Sequence, residues 1–290
     1  MITARRPLPS EYRREIPAGP IFYKVNDVLD TGKLNTICVS GRCPNRGECF
    51  SRGSLAFMIL GDLCTRHCGF CAVKAGNPGG IIDWQEPKRL ARAVANLKLR
   101  HVVITSVARD DLRDGGASVF EACIQEVRRF SPSTIIEVLI PDFFAERSAL
   151  DTILNSAPEI FNHNIETVER LTSTVRSKAT YRRTLDVLQY AAGRQGPIIK
   201  SGLMLGLGET HEEIFETLKD LRSVGCEYLT IGQYLQPSAK HLAIQSYVPA
   251  SDFRHWEREA FRLGFMRVAS GPLVRSSYFA DQLHSPENLS

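Results

Sequence analysis

From residue 54 onward the chain alternates short apolar runs with segments of helical periodicity, and few folds accommodate that pattern. The apolar runs are SLAFMILG (54–61), HVVITSV (101–107), TIIEVLI (134–140), EIFNHN (159–164), IIKSGLMLG (198–206) and EYLTIGQY (227–234). Helical patterns lie at 86–99, 117–130, 144–156, 167–174, 181–192 and 210–224, the last opened by Thr210 and Glu213 as a capping box. Neighbouring parallel strands need a crossover, and helices supply it, so the alternation predicts a parallel sheet with helices on its outer face. Six strands fall short of the eight in a closed barrel. The expected fold is therefore α/β: a partial, six-stranded, TIM-like parallel β/α barrel. A cysteine-rich extension (1–53) would precede the barrel (54–264), and a tail (265–290) would close its mouth. The alternative, a doubly wound sheet, lacks a Gly-x-Gly-x-x-Gly turn after the first strand.

Six of the eight cysteines fall in one short stretch, as two sets of three: Cys38-x4-Cys43-x5-Cys49 and Cys64-x3-Cys68-x2-Cys71. Thiolate suits iron, and a cubane cluster held by three cysteines keeps one iron open for chemistry. Structural zinc uses the same ligands but favours repeated close pairs and four ligands in total; neither set has that form, although His67 lies within the second and could join it. A disulfide framework suits a small secreted chain, whereas 290 residues can build a core without staples. Cys123 and Cys226 stand apart in apolar segments and read as buried small hydrophobes.

Charge excludes some classes. The net charge of +4 is spread along the chain in short clusters, which predicts no nucleic-acid footprint. No stretch is apolar for long enough to span a membrane. No apolar run follows the basic residues at the start, so no secretory leader is expected, and free thiols imply a reducing, cytoplasmic setting.

The second triad begins three residues beyond the first predicted strand, so its loop belongs at the C-terminal mouth of the barrel. Polar residues near later strand ends are expected to point there: Thr105, Ser106, Glu137, Asp142, Asn162, Asn164, Lys200 and Ser201. The Gly206-x-Gly208 turn permits close backbone approach.

With Phe70 before its last cysteine, the second triad resembles the signature of radical S-adenosylmethionine enzymes. The wider chain resembles the lipoyl synthases, through CPNRGECF (43–50) preceded by Cys38, FMILGDLCTRHCGFCAV (57–73), VVITSVARDDLRDGG (102–116), HNIETV (163–168), KSGLMLGLGET (200–210), GQYLQPS (232–238) and VRSSYFA (274–280). The resemblance implies two [4Fe-4S] clusters per chain. Cys64, Cys68 and Cys71 would hold the one that cleaves S-adenosylmethionine. Cys38, Cys43 and Cys49 would hold an auxiliary cluster that gives up sulfide, completed by a tail serine, Ser277 in preference to Ser276. Contacts to S-adenosylmethionine are expected from Phe70, Thr105, Ser106, Glu137, Asn164, Arg176, Lys200, Gly206 and Gly208. The implied reaction inserts two sulfur atoms into an octanoyl chain on a carrier lysine, consuming two S-adenosylmethionine molecules. Saturated C–H bonds carry no acidic proton, so a pair such as Asp110 and Asp111 would not activate them.

The implied partners are the octanoylated carrier (a glycine-cleavage H protein or a 2-oxoacid dehydrogenase acyltransferase), a ferredoxin or flavodoxin reductant, and an iron–sulfur delivery protein; a monomer is expected. An acidic carrier face would suit the basic arm Arg5, Arg6, Arg13 and Arg14. Two segments depart from the family pattern: Val39–Arg42, where an acidic-then-alanine pair is common, and 241–253, which lacks a histidine before the proline. They are compatible with a divergent copy of restricted carrier preference. The other classes weighed are a radical methylthiotransferase and a non-catalytic iron–sulfur or zinc protein.

Overall fold

The structure is a computed structural model that describes Tyr12, residues 19–278 and residues 280–283. The arm residues Arg5, Arg6, Arg13 and Arg14, and Phe279 of the tail motif, lie outside the described residues.

The cysteine-rich extension supplies α1 (Pro20–Gly32), β1 (Asn35–Thr36), α2 (Ile37–Ser40) and α3 (Arg46–Ser51). Then come β2 (Ala56–Ile59), β3 (Leu63–Cys64), β4 (Lys74–Ala75), α4 (Glu86–Leu97), β5 (His101–Ser106), α5 (Ala117–Phe130) and β6 (Ile135–Leu139). They are followed by α6 (Arg147–Asn155), β7 (Ile160–Asn162), α7 (Glu169–Val175), α8 (Tyr181–Ala192), β8 (Ile198–Leu205), α9 (His211–Ser223) and β9 (Tyr228–Gln233). The chain ends with α10 (Ala250–Arg262), β10 (Arg267–Gly271) and α11 (Ala280–Leu283).

The six expected strands are present in chain order, β2-β5-β6-β7-β8-β9, and every pair among them is parallel. The sheet is longer than expected by one strand at each edge. β1 pairs antiparallel with β2, and β10 pairs parallel with β9. Two residues of β1 are too few for any periodicity, and RVASG in β10 is too polar to read as a strand without its neighbour. β2 and β9 are buried at every position, as parallel strands covered on both faces must be. The covering helices present one apolar stripe each: α5 buries Val119, Phe120, Cys123, Ile124 and Val127 at three- and four-residue spacing. Cys123 and Cys226 are both fully enclosed, as expected of inert thiols.

Two local conformations matter for the mouth. α9 opens with the expected capping box: Thr210 Oγ1 accepts the Glu213 amide at 3.3 Å, and the Glu213 carboxylate accepts the Thr210 amide at 2.8 Å. The helix expected from 144 starts only at Arg147. Before it, Phe143, Phe144 and Ala145 form a left-handed turn with φ of 43°, 53° and 60°, each costing about 1–2 kcal/mol for an L residue. Asp142 holds that turn, its carboxylate accepting Phe144 N–H at 3.2 Å and its carbonyl accepting Ala145 N–H at 2.7 Å.

Candidate active site at the barrel mouth

After β2 the chain reverses through Leu60 (φ 69°) and Gly61 (φ 89°), and the Glu86 carboxylate anchors the bend by accepting Leu60 N–H at 2.8 Å. The short β3–β4 pairing then clamps the loop of the second triad, with Gly76 N–H donating to Cys64 O at 2.8 Å. Cys64 Sγ accepts two backbone amides, from Arg66 (3.4 Å) and Ala108 (3.3 Å). Gly69 is needed because the loop meets Leu242 there: a Cβ would lie 2.8 Å from its side chain, and Leu242 N–H donates to Gly69 O at 3.0 Å. The 241–253 segment flagged as a departure from the family is thus the wall behind this loop, with His241 Nε2 3.0 Å from Cys71 O.

Arg66, within the triad, is the loop's main anchor and was not singled out from the sequence. Its guanidinium reaches Asp110 at 2.9 Å and Asp142 at 2.6 Å, and Arg183 meets the other Asp142 oxygen at 3.1 Å. The Phe144 ring, set by the left-handed turn, lies 4.9 Å from the Arg66 and 5.3 Å from the Arg183 guanidinium. Burial works against an ionised Asp142, but Arg66 outweighs it and holds the group at about 2.

The first triad is folded by two short helices. Thr36 Oγ1 caps α2 by accepting Cys38 N–H at 3.2 Å, and Cys43 N–H returns to Cys38 O at 3.1 Å. Gly41 makes that tight return possible, since a Cβ there would lie 2.6 Å from Ile37 O. Cys49 sits on α3, where burial and then the nearby Cys38 and Cys43 push its thiol up to about 12. Burial likewise pushes Cys71 to about 12 and raises Cys64 and Cys43. Such thiols keep their protons in the metal-free protein and release them to solvent when a metal takes the sulfur.

The tail reaches the mouth by crossing two glycines. A Cβ on Gly232 would lie 2.1 Å from Val274 O, and one on Gly202 would lie 2.7 Å from Asn164 Oδ1 and 2.9 Å from Ser276 Oγ. Asn45, beside the first triad, donates to Leu273 O at 2.6 Å, and Tyr278 Oη meets Glu48 at 3.1 Å. Ser276 Oγ accepts Asn164 Nδ2 at 2.7 Å, which engages it; Ser277 has no hydrogen-bond partner among the described residues.

The two triads and the tail meet at one cavity of about 360 Å³. It is lined by Cys38, Cys43, Cys64, Cys68, Cys71, Phe70, Thr105, Ser106, Asn164, Arg176, Ser276 and Ser277, with Cys49 set behind the wall. Leu139, Leu203, Met204 and Tyr234 make much of the rest apolar. Sequence reasoning also missed Glu166, a half-buried wall residue at φ 69° whose carboxyl is pushed up by desolvation. Its HNIETV context was visible; its left-handed backbone was not. Two buried acceptors on the wall, Ser106 Oγ and Asn164 Oδ1, lack a partner among the described residues. Buried polar atoms of this kind belong where a polar ligand completes them.

Four expected contacts are elsewhere. Glu137 and Lys200 are fully buried beneath the cavity and pair with each other at 2.8 and 3.1 Å, with Asn162 Nδ2 donating to Glu137 at 2.8 Å. The pairing satisfies both charges, so neither projects into the mouth. Gly206 and Gly208, at φ 99° and 103°, line no part of it either. Gly206 instead admits protein: a Cβ would lie 2.1 Å from Gln233 Nε2 and 2.5 Å from Ser246 O.

All eight cysteines are free thiols, and among the described residues no three His, Cys, Asp or Glu side chains converge on a single ion. Each triad supplies three thiols, the donor that a cubane's iron corners take. The orphaned Ser106 and Asn164 acceptors and the mixed polar and apolar walls likewise fit a cavity shared by S-adenosylmethionine and an acyl chain. No helix among the described residues is long and apolar enough to cross a membrane.

The Radical SAM superfamily profile matches residues 58–221. Among curated proteins, the chain is 48% identical to "Lipoyl synthase, mitochondrial" of Nematostella vectensis, over 96% of this chain and 95% of that one. It is 47% identical to the lipoyl synthase of Christiangramia forsetii over 97% and 95%, and 48% identical to that of Thermus thermophilus over 95% and 86%. Two solved structures share the fold: methylornithine synthase (TM-score 0.51, 14% identity, 79% of this chain and 76% of that one) and HydG, a maturase of the [FeFe]-hydrogenase (TM-score 0.56, 14% identity, 73% and 50%).

Proposed function

Because the chain belongs to the lipoyl synthase family of the radical SAM superfamily, we propose that it inserts two sulfur atoms, at C6 and C8, into a protein-bound octanoyl-lysine to give lipoyl-lysine. One observation carries the reading: cysteines of both triads face a single cavity whose remaining wall is largely apolar. In this account residues 1–53 carry the auxiliary centre, 54–264 form the barrel and 265–290 close it. Cys64, Cys68 and Cys71 hold the cluster that binds S-adenosylmethionine; Cys38, Cys43, Cys49 and Ser277 hold the auxiliary one. Bound there, these groups supply what no side chain can: a radical able to take hydrogen from an unactivated C–H bond, and sulfide to replace it.

The chain's own part is to bind, orient and exclude water. The Arg66–Asp110–Asp142 lattice keeps the second triad's loop rigid against the ends of β5 and β6. Phe70, Thr105, Ser106, Asn164 and Arg176 face S-adenosylmethionine, Glu137 and Lys200 tie the strands beneath it, and the Gly206–Gly208 turn packs on Gln233 and Ser246. Leu139, Leu203 and Met204 receive the acyl chain. Asp110 and Asp111 are tied to Arg66 and Arg109 and serve structure rather than proton transfer. The hard oxygen of Ser277 suits a corner that must come apart, because iron prefers thiolate. The carrier is a glycine-cleavage H protein or 2-oxoacid dehydrogenase acyltransferase domain. A ferredoxin or flavodoxin supplies electrons, an iron–sulfur delivery protein restores the auxiliary centre, and the enzyme works as a cytoplasmic monomer.

Anaerobic reconstitution is expected to give about eight iron atoms per chain, two cubanes of four. Incubation with dithionite, S-adenosylmethionine and an octanoylated carrier should then add two sulfur atoms to the carrier, read by mass spectrometry. About four iron atoms with an inert first triad, or 5'-deoxyadenosine formed over an unchanged carrier mass, would refute the reading.

A further inference from the structure

The extended connection between α7 and α8 lies directly against the second triad. Gly69 N–H donates to Val175 O at 2.9 Å, and Lys178 Nζ reaches Asp110, the partner of Arg66, at 3.1 Å. Between these two ties sits Ser177. Its Oγ accepts His67 N–H at 3.1 Å and stands 3.7 Å from Cys68 Sγ. We propose that Ser177 sets the reduction potential of the metal centre held by Cys64, Cys68 and Cys71, by donating its hydroxyl proton to the Cys68 sulfur. The inference rests on the cluster reading of that triad given above.

The direction of the bond follows from the donors available. A serine hydroxyl has one proton and two lone pairs. The His67 amide occupies a lone pair, so the proton is directed elsewhere, and a metal-bound thiolate can only accept. The amide also polarises the hydroxyl, which strengthens its donation to sulfur. Ser177 meets Cys68 and the main chain of the residue before it, His67, so the serine closes a ring on the segment whose geometry it serves. The ties through Val175 and Lys178 hold it there although its side chain is exposed.

The other two sulfurs differ in kind. Cys64 takes its hydrogen bonds from the Arg66 and Ala108 main chain, and the Val73 amide lies beside Cys71. Backbone donors are set by the fold. Ser177 is the donor that a single side-chain change removes. A hydrogen bond to a ligating sulfur draws charge from it and favours the reduced cluster, which carries one more negative charge, so the potential rises.

The test is a potentiometric titration of the anaerobically loaded holoenzyme followed by electron paramagnetic resonance, with and without S-adenosylmethionine. The signal that responds to S-adenosylmethionine identifies the second triad's centre. Ser177→Ala should lower the midpoint potential of that signal, leave the other signal in place and keep the iron content of the wild type. Ser177→Thr, which retains the hydroxyl, should titrate with the wild type. An Ala variant at the wild-type potential would overturn the proposal. So would equal shifts in both variants, or loss of iron from the Ala variant, which would assign the residue to packing. A wild-type protein with no signal responsive to S-adenosylmethionine would instead overturn the cluster reading itself.

Discussion

At the scale of single residues, the mouth is governed by groups whose protons are dictated by their neighbours. His163 is buried, and its Nδ1 faces Ile140 O at 2.9 Å, so that nitrogen carries the proton. Nε2 then accepts from Thr184 at 3.3 Å, and Thr184 in turn accepts Arg176 at 2.8 Å. The chain of bonds aims Arg176 along the cavity wall. Burial, reinforced by Arg176, pushes His163 down to about 4. Between its ordinary ~6.5 and about 4, the unfolded chain holds a proton that the folded chain lacks, so stability falls as pH drops through that window. Thermal unfolding midpoints are expected to decline from pH 7 to pH 5, and His163→Gln should flatten the decline; an undiminished slope in the variant would assign it to other groups. Asp142 and Glu137, both held at about 2, act lower on the scale. Their stabilisation is complete above the ordinary carboxylate range of ~4 and is lost as pH falls toward 2. The sequence shows which residue types stand near strand ends. It does not show depth, which is why Glu137 and Lys200, expected at the mouth, are paired below it.

At the scale of elements, that pair is a cross-strand tie. Glu137 on β6 meets Lys200 on β8, Asn162 on β7 and His101 on β5, the last at 3.3 Å. Burial opposes the Glu137 charge, but Lys200 and then His101 outweigh it. Lys200→Met would deprive the buried carboxylate of its main counter-charge, at a cost of about 3–5 kcal/mol. Denaturant unfolding should show that loss, and Glu137→Leu combined with Lys200→Met should recover much of it; additive losses would contradict the pairing. Strands and helices with strong periodicity were legible, as α5 and the capping box of α9 illustrate. The left-handed turn at Phe143–Ala145 was not. Local sequence favours right-handed geometry there, and only the contacts of Asp142, Phe143 and Phe144 make the turn tolerable.

At the scale of the whole molecule, the cysteine-rich extension and the tail are brought to one opening. Asn45 reaches Leu273 and Glu48 reaches Tyr278 across the full length of the barrel sequence. Gly232 is the gate for that closure. Gly232→Ala should leave the barrel folded by circular dichroism but free the tail to protease and abolish sulfur insertion, while uncoupled cleavage of S-adenosylmethionine continues. A tail as resistant as in the wild type would show that the crossing tolerates a side chain. The sequence alone determined the parallel β/α order, both cysteine triads, the tail serines and the family, because these are properties of spacing and residue type along one chain. Only the tertiary structure decided which polar residues face the cavity, that Arg66 anchors the second triad through Asp110 and Asp142, and that Ser276 is engaged by Asn164 while Ser277 is left to the cavity. Those outcomes depend on burial and on partners as much as 112 residues away, as Asn164 is from Ser276. Periodicity records which face a side chain takes; the desolvation and charge that decide its partner exist only once distant segments have packed together.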